Sequence, residues 1–389
     1  MMGLGYIGLP TAALIASKGI HVLGVDVQQL VVDTINSGKI HIVEPALDGL
    51  VKHDVERGYL KAATEPQKAN VFLVAVPTPF KEEHQPDLQY VESATRMTIP
   101  YLEEGNLFII ESTSPVGTTE KMAELIFTER PELKDKIYIA YCPERVLPGN
   151  VIYELKNNDR AIGGINESST KKACEFYSLF VTGELHKTNA RTAEMTKLVE
   201  NASRDVQIAF ANELSMICDE ANIDVWELIK LANKHPRVNI LQPGTGVGGH
   251  CIAVDPWFIV SEFKEKAKII RTAREINNYK TEWVIEKIKN IALEFEIKEG
   301  RKPIIACFGL AFKPDIDDLR ESPAFHVVQS LISQGYTILP VEPNLESNRF
   351  NEMELFDSAQ ALERSDIGVK LVNHSAFKNL IGSISTFVN

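Results

Sequence analysis

The chain is poor in the features that mark several protein classes. Only five cysteines occur in 389 residues (Cys142, Cys174, Cys218, Cys251 and Cys307), an odd number with no C-x-x-C pair. A disulfide framework and a zinc site are therefore not expected, no metal site is assigned, and reduced thiols in a reducing compartment are the default. No stretch reaches the roughly 18 apolar residues of a membrane span. The N-terminus lacks a basic leader: its first charge is Lys18, and Gly3, Gly5, Gly8 and Pro10 interrupt the apolar run. That argues against a secretory signal and for a cytoplasmic protein without membrane insertion. Positive charge is also short, with 41 Lys plus Arg against 53 Asp plus Glu and a net charge of −12. Such a chain is a poor general nucleic-acid binder, and any anionic ligand must be gripped by a local cluster of donors.

What is present is ordinary globular composition, 44% hydrophobic and 24% charged, over a length that suggests two or three domains. Residues 1–185 alternate short β-rich runs (His21–Asp26, Val71–Val76, Leu107–Glu111, Ile137–Tyr141) with helical patterns, which predicts a parallel sheet covered on both faces. From 190 to 296 strand signals vanish and amphipathic helices are predicted over Thr192–Glu220, Asp224–Lys234 and Ser261–Phe295, with a Gly- and Pro-rich loop at 242–256. From 300 to 389 the alternation returns: a strand to Phe308, a helix Pro323–Ser333 and a strand Tyr336–Val341. The expected fold is α/β, with two Rossmann-like doubly wound domains joined by a central helical region.

Gly3-Leu4-Gly5-Tyr6-Ile7-Gly8 fits G-x-G-x-x-G and runs into a helical stretch. In such a loop the first glycine permits a tight turn, the second admits a pyrophosphate to the backbone, and the third lets helix pack on sheet. Asp26 ends the next strand, 18 residues beyond Gly8. A carboxylate there accepts hydrogen bonds from a ribose 2′-OH and repels a 2′-phosphate, which favours NAD over NADP. Only Met1 and Met2 precede the first glycine, so the strand that should feed this turn looks clipped.

Glu194, Lys197, Asn201 and Arg204 recur at steps of three and four along one predicted helix. A solvated, salt-bridged face is one reading; a Lys and an Asn aimed into a cleft, as proton-transfer group and oxyanion donor, is the other. The segment Gly244-Thr245-Gly246-Val247-Gly248-Gly249-His250-Cys251 is more unusual. It strips side chains from a backbone that ends in a thiol, with Asp255 four residues on. His250 is read as structural.

At this point the residues become recognisable. The glycine loop, Glu111–Gly117 (E-S-T-S-P-V-G), Tyr141–Gly149 (Y-C-P-E-R-V-L-P-G), Ala193–Asn201 with Arg204, Gly244–Asp255 and Phe308–Pro323 together resemble the UDP-glucose/GDP-mannose dehydrogenase family almost from end to end. Within it, His41–Pro45, Val76–Phe80 and His235–Leu241 look like the branch acting on UDP-N-acetyl-D-mannosamine.

The resemblance implies a four-electron oxidation of a C6 alcohol to a carboxylate with two NAD⁺. It implies a role in bacterial surface-polysaccharide biosynthesis of the enterobacterial common antigen kind. UDP-N-acetylglucosamine or UDP-glucose is the alternative substrate, and an inactive nucleotide-binding paralogue a remoter one. By residue-wise match, Cys251 traps the aldehyde and Lys197 and Asn201 serve the developing alkoxide. Asp255 positions water or Lys197, and Glu144 with Thr113 activates water. Gly3, Gly5, Tyr6, Ile7, Gly8, Asp26, Thr78, Thr113 and Arg320 match cofactor positions. Arg145, Val146, Lys197, Asn201, Arg204, His235, Arg237, Gly248, Phe312 and Lys313 match nucleotide-sugar positions. In the family the arginine matching Arg237 comes from the neighbouring subunit, which implies a homodimer or a higher homo-oligomer. Thr245 replaces a proline of the close branch, and Thr386–Asn389 resembles the start of the family's last strand, so the C-terminus also looks clipped.

Overall fold

The computed structural model describes residues 1–81, 84–146, 149–345, 347–351 and 353–378. The chain forms two compact units, Met1–Glu200 and Asn201–Asn389. The boundary falls inside one long helix, Ala190–Ala221.

In the first unit β1 (Val22–Val25) pairs in parallel with β2 (Leu60–Ala63). Strands β3 (Val71–Val74), β4 (Leu107–Ile110), β5 (Tyr138–Tyr141), β6 (Arg160–Gly164) and β7 (Leu185–Asn189) follow one another in a five-stranded sheet. Met2 bridges Val25 on one side and Val74 on the other, so two residues fill the central place between β1 and β3. The short lead into the glycine turn is thus built into the sheet: Met2 N–H donates to Leu73 and Gly3 N–H to Val25. The expected all-parallel sheet is corrected at one place. β6 runs antiparallel to β5, with Ala140 opposite Gly164. The connection holds a short helix, Val151–Asn157, whose Val151 and Leu155 are buried in the apolar layer with Leu9 and Ile15. Strands β2, β6 and β7 had no strong sequence signal; β7 is mostly exposed and so lacks an apolar run. Apolar layers close both faces, one around Leu9, Ile15 and Ile109, the other around Val74, Phe108 and Ile139.

The second unit holds the rest of the long helix, a shorter helix Val225–Ala232, and a second 32-residue helix, Lys268–Glu299. The single helix expected over Ser261–Phe295 is two. Asp255–Phe263 ends where Lys264 takes a positive φ of 41°, a conformation the α-helix cannot continue through. The two long helices meet along polar side chains. Arg274 donates to Asp205 at 2.7 Å, Asn277 to Asp205 at 2.7 Å, Asn212 to Asn277 at 2.8 Å and Lys280 to Ser215 at 2.8 Å, all buried. Removing one partner of such a buried ion pair costs about 3–5 kcal/mol, so this seam fixes the register of the two helices. Beyond it, β8 (Ile304–Phe308) lies between β9 (Thr337–Val341) and a strand at Ile367–Lys370, all parallel. Thr386–Asn389 lies outside the described residues.

Candidate active-site residues

The first unit builds the glycine loop. Gly3 has φ of 88°, and a Cβ there would lie 2.5 Å from the Ala75 carbonyl oxygen; a Cβ on Gly8 would lie 1.9 Å from that of Gly3. Both are glycine because the chain's own packing demands it. Gly5 is different: a Cβ there would meet nothing within 4 Å. Its missing side chain leaves open surface before the helix Gly8–Ala16, the shape a pyrophosphate needs at a helix N-terminus. Asp26 accepts from the N–H groups of Leu4 at 3.1 Å and Gln28 at 3.0 Å, which steers the carboxylate over the loop. Tyr6 is exposed, and Thr78 is half-buried in the segment after β3. These residues fit a dinucleotide.

β4 and β5 end in the next two groups. After β4, Ser112 donates to Val74 and accepts from Val76 N–H at 2.9 Å, tying the Thr78 segment to that of half-buried Thr113. After β5, Glu144 is buried and ion-paired with Arg160 at 2.9 Å, while the N–H of Arg145 donates to its other oxygen at 2.7 Å. Arg145 pairs with Glu200 at 2.6 Å, and Val146 is half-buried. Buried Glu44 accepts from the N–H groups of Gly149 at 2.9 Å and Val151 at 2.7 Å, so the E-P of the His41–Pro45 motif clamps the far end of the same loop. On the long helix Lys197 is half-buried. Glu194 is not on a solvated face: it is buried and accepts from the N–H groups of Gly117 at 2.6 Å and Thr119 at 2.7 Å. Its carboxylate caps the helix Thr118–Glu129 and so anchors the turn carrying Lys197.

The second unit holds the thiol loop. Cys251 is exposed; the other four cysteines are buried. Its carbonyl accepts from the N–H groups of Val254 and Asp255, a turn that feeds the helix Asp255–Phe263. Asp255 is buried and accepts from Asn201 Nδ2 at 2.6 Å, so two predicted residues are brought together. The glycines of the loop permit close packing: a Cβ on Gly248 would lie 2.2 Å from the Glu321 carbonyl, and one on Gly249 2.8 Å from the Phe312 ring. Gly248, Phe312 and half-buried Lys313 therefore form one neighbourhood. Thr245 is used where a proline would have no donor, its hydroxyl bonding the Leu371 carbonyl at 2.6 Å. Arg320 is paired with Asp318 at 2.6 Å. Partial burial and the Arg320 guanidinium lower the pKa of His250, in keeping with a structural role. Arg204, His235 and Arg237 are exposed, and the Arg237 N–H donates to His235.

Sequence reasoning singled out neither Arg160 nor Tyr177, and took Glu111 only as the first residue of the Glu111–Gly117 motif. The one local signal is a charged residue opening the apolar run Arg160–Gly164. Among the described residues no helix is long and apolar enough to cross a membrane.

Sequence profiles of the UDP-glucose/GDP-mannose dehydrogenase family match the chain in order: the NAD binding domain over 1–181, the central domain over 191–279 and the UDP binding domain over 306–388. The chain is 56% identical to the UDP-N-acetyl-D-mannosamine dehydrogenase of Campylobacter jejuni, over 97% of this chain and 95% of that protein. It is 54% identical to the NDP-N-acetyl-D-galactosaminuronic acid dehydrogenase of Ralstonia nicotianae, over 98% and 91%. The solved UDP-N-acetyl-mannosamine dehydrogenase of Staphylococcus aureus superposes with a TM-score of 0.85 at 40% identity, covering 99% of this chain and 91% of that one. The chain belongs to the UDP-glucose/GDP-mannose dehydrogenase family, the NAD-dependent dehydrogenases of nucleotide sugars.

Proposed function

We propose that the protein oxidises C6 of UDP-N-acetyl-D-mannosamine from alcohol to carboxylate. The observation that carries the reading is the exposed Cys251 at the end of a glycine-rich backbone, one turn from buried Asp255 and its half-buried partner Asn201. When bound, NAD⁺ supplies the hydride acceptor for both oxidations, one molecule for each. Gly5, Tyr6, Ile7 and Asp26 hold it, with Thr78, Thr113 and Arg320. Lys197 and Asn201 stabilise the alkoxide as the hydroxyl gives up its proton and C6 its hydride. The Cys251 thiolate adds to the aldehyde carbon, so the reactive carbonyl stays attached to the chain. Loss of a second hydride from that thiohemiacetal leaves a thioester. Water, with its proton taken by Glu144 and held by Thr113, splits the carbon–sulfur bond and releases carboxylate and thiol. Arg145, Val146, Arg204, His235, Gly248, Phe312 and Lys313 hold the nucleotide sugar.

Arg237 serves the site of a second copy in a homodimer. Supporting this, Val199, Phe210 and Ile217 are exposed along the first long helix and Ile269, Tyr279 and Leu293 along the second. The compartment is the cytoplasm, and the product feeds a bacterial surface polysaccharide. The Ralstonia relative, 54% identical, favours a second reading in which an N-acetylgalactosamine-configured sugar is oxidised. Comparing kcat/KM for UDP-N-acetylmannosamine, UDP-N-acetylgalactosamine, UDP-N-acetylglucosamine and UDP-glucose decides between them. A preference for the mannosamine epimer is expected; preference for any other overturns the substrate.

A further inference from the structure

Beneath the loop carrying Glu144, four segments of the first unit converge on one buried guanidinium. Arg160 opens β6 and is 3% exposed. Its Nη1 donates to Glu144 Oε2 at 2.9 Å and its Nη2 to the Leu155 carbonyl at 3.0 Å, and its guanidinium carbon lies 5.1 Å from the centre of the Tyr177 ring. The Tyr177 hydroxyl donates to Glu111 Oε1 at 2.5 Å, and both groups are buried. Cys142, also buried, stands with its sulfur 3.9 Å from Nη1. The groups facing Arg160 are thus Glu144 and Cys142 after β5, Glu111 after β4 and Tyr177 from the helix Glu167–Tyr177; the amino group of Met1 also acts on Glu111.

A charge buried this deeply is costly unless it is paired and hydrogen-bonded. Arg160 engages Nη1 and Nη2, while its buried Nε has no partner among the described residues. An arginine meets that need where a lysine would not, because its planar fork sets two bond directions at once. Here one arm points at the Glu144 carboxylate and the other at the main chain of the helix Val151–Asn157, so the carboxylate is fixed relative to the sheet. Tyr177 walls one face of the guanidinium. Burial pushes the Glu111 carboxyl up to about 7, and Tyr177 holds it where it does not replace Glu144 as the direct partner of Arg160.

We propose that Arg160 is the positioning residue for Glu144, aiming its carboxylate for the water-activating step, and that Tyr177 with Glu111 is the floor that keeps the guanidinium aimed. This rests on the reading of Glu144 given above. A double-mutant cycle on the full-length enzyme tests it, with NAD⁺ and UDP-N-acetylmannosamine as substrates. Arg160→Lys should lower kcat by roughly 10- to 10²-fold, the scale of losing orientation at a reacting group, with KM for both substrates within about threefold. In an Glu144→Gln background the same change should cost almost nothing further, since the carboxylate it aims is gone. Should Arg160→Lys fail to fold, Tyr177→Phe removes one oxygen and keeps the ring; a kcat decrease of about two- to fivefold is expected, again only while Glu144 is present. If Glu144→Gln keeps wild-type kcat, the role of Glu144 falls and this proposal with it. If Glu144→Gln is slow but the Arg160 and Tyr177 changes act with equal force in both backgrounds, or raise KM alone, the positioning role is overturned while that of Glu144 stands.

Discussion

The two Rossmann-like sheets of this chain begin alike and end differently. In the first unit Met2 leads into Gly3, whose φ is 88°, and the next strand ends before Asp26; in the second β8 leads into Gly309, whose φ is 90°, and β9 ends before Glu342. In both the acid bends back to the turn. Asp26 accepts from Leu4 N–H at 3.1 Å, and Glu342 from those of Leu310 at 2.8 Å and Ala311 at 3.0 Å. Asp26 stays half-exposed, but Glu342 is 5% exposed and covered by His374, whose Nε2 lies 3.1 Å away. Because His374 Nδ1 accepts from Asp315 N–H at 2.9 Å, its proton sits on Nε2 and points at Glu342. One acid is still partly open to solvent; its counterpart is spent on the fold. A shared plan therefore does not give a shared ligand, and the second unit must grip its nucleotide elsewhere, around Phe312 and Lys313 in our reading.

That contrast can be broken most forcefully at the sealed acid. Glu342→Ala should cost about 3 kcal/mol or more in urea unfolding, because it strands His374 and two N–H groups in the interior, and it should leave NAD affinity as it was. Stability within 1 kcal/mol of wild type, or a loss of NAD binding, would erase the distinction. Asp26→Ala should do the reverse: roughly 10- to 10²-fold weaker NAD binding by titration calorimetry, as for a lost hydrogen bond to a charged group, with about 1 kcal/mol or less lost in stability.

Proton linkage separates the units more finely. Burial pushes Glu342 upward, but His374 and the loop N–H groups outweigh it and hold the carboxyl below its ordinary 4.5. Its stabilisation is full above pH 4.5 and lost as pH falls through the depressed value. Glu111 runs the other way: raised by burial from 4.5 to about 7, it keeps a proton that the unfolded chain gives up, so stability falls as pH rises across that window. Urea unfolding from pH 3.5 to 8 should show Glu342→Gln flattening the acid limb and Glu111→Gln the limb between 4.5 and 7. Identical pH curves for both variants and wild type would contradict these assignments.

Legibility followed the kind of constraint. Gly3, Gly8 and Asp26 could be read because a turn and a strand end fix residue type at fixed spacing. The glycines before Cys251 could be read because close packing against Phe312 and Glu321 excludes side chains. The family likeness supplied roles for Lys197, Asn201 and Glu144 that spacing left open. The break at Lys264 was invisible, since neither Gly nor Pro marks it. The reversal of β6 depends on pairing rather than pattern. Arg160 and His374 were hidden for a common reason: Arg160 meets Glu144 and Tyr177, and His374 meets Glu342, only after separate segments fold together.

The most direct test of the account counts NADH formed for each UDP-N-acetylmannosamine consumed, with the sugar product identified by mass spectrometry. Two NADH and a uronate are predicted for the wild-type chain, with no aldehyde released. One NADH accompanied by free aldehyde would contradict the role given to Cys251.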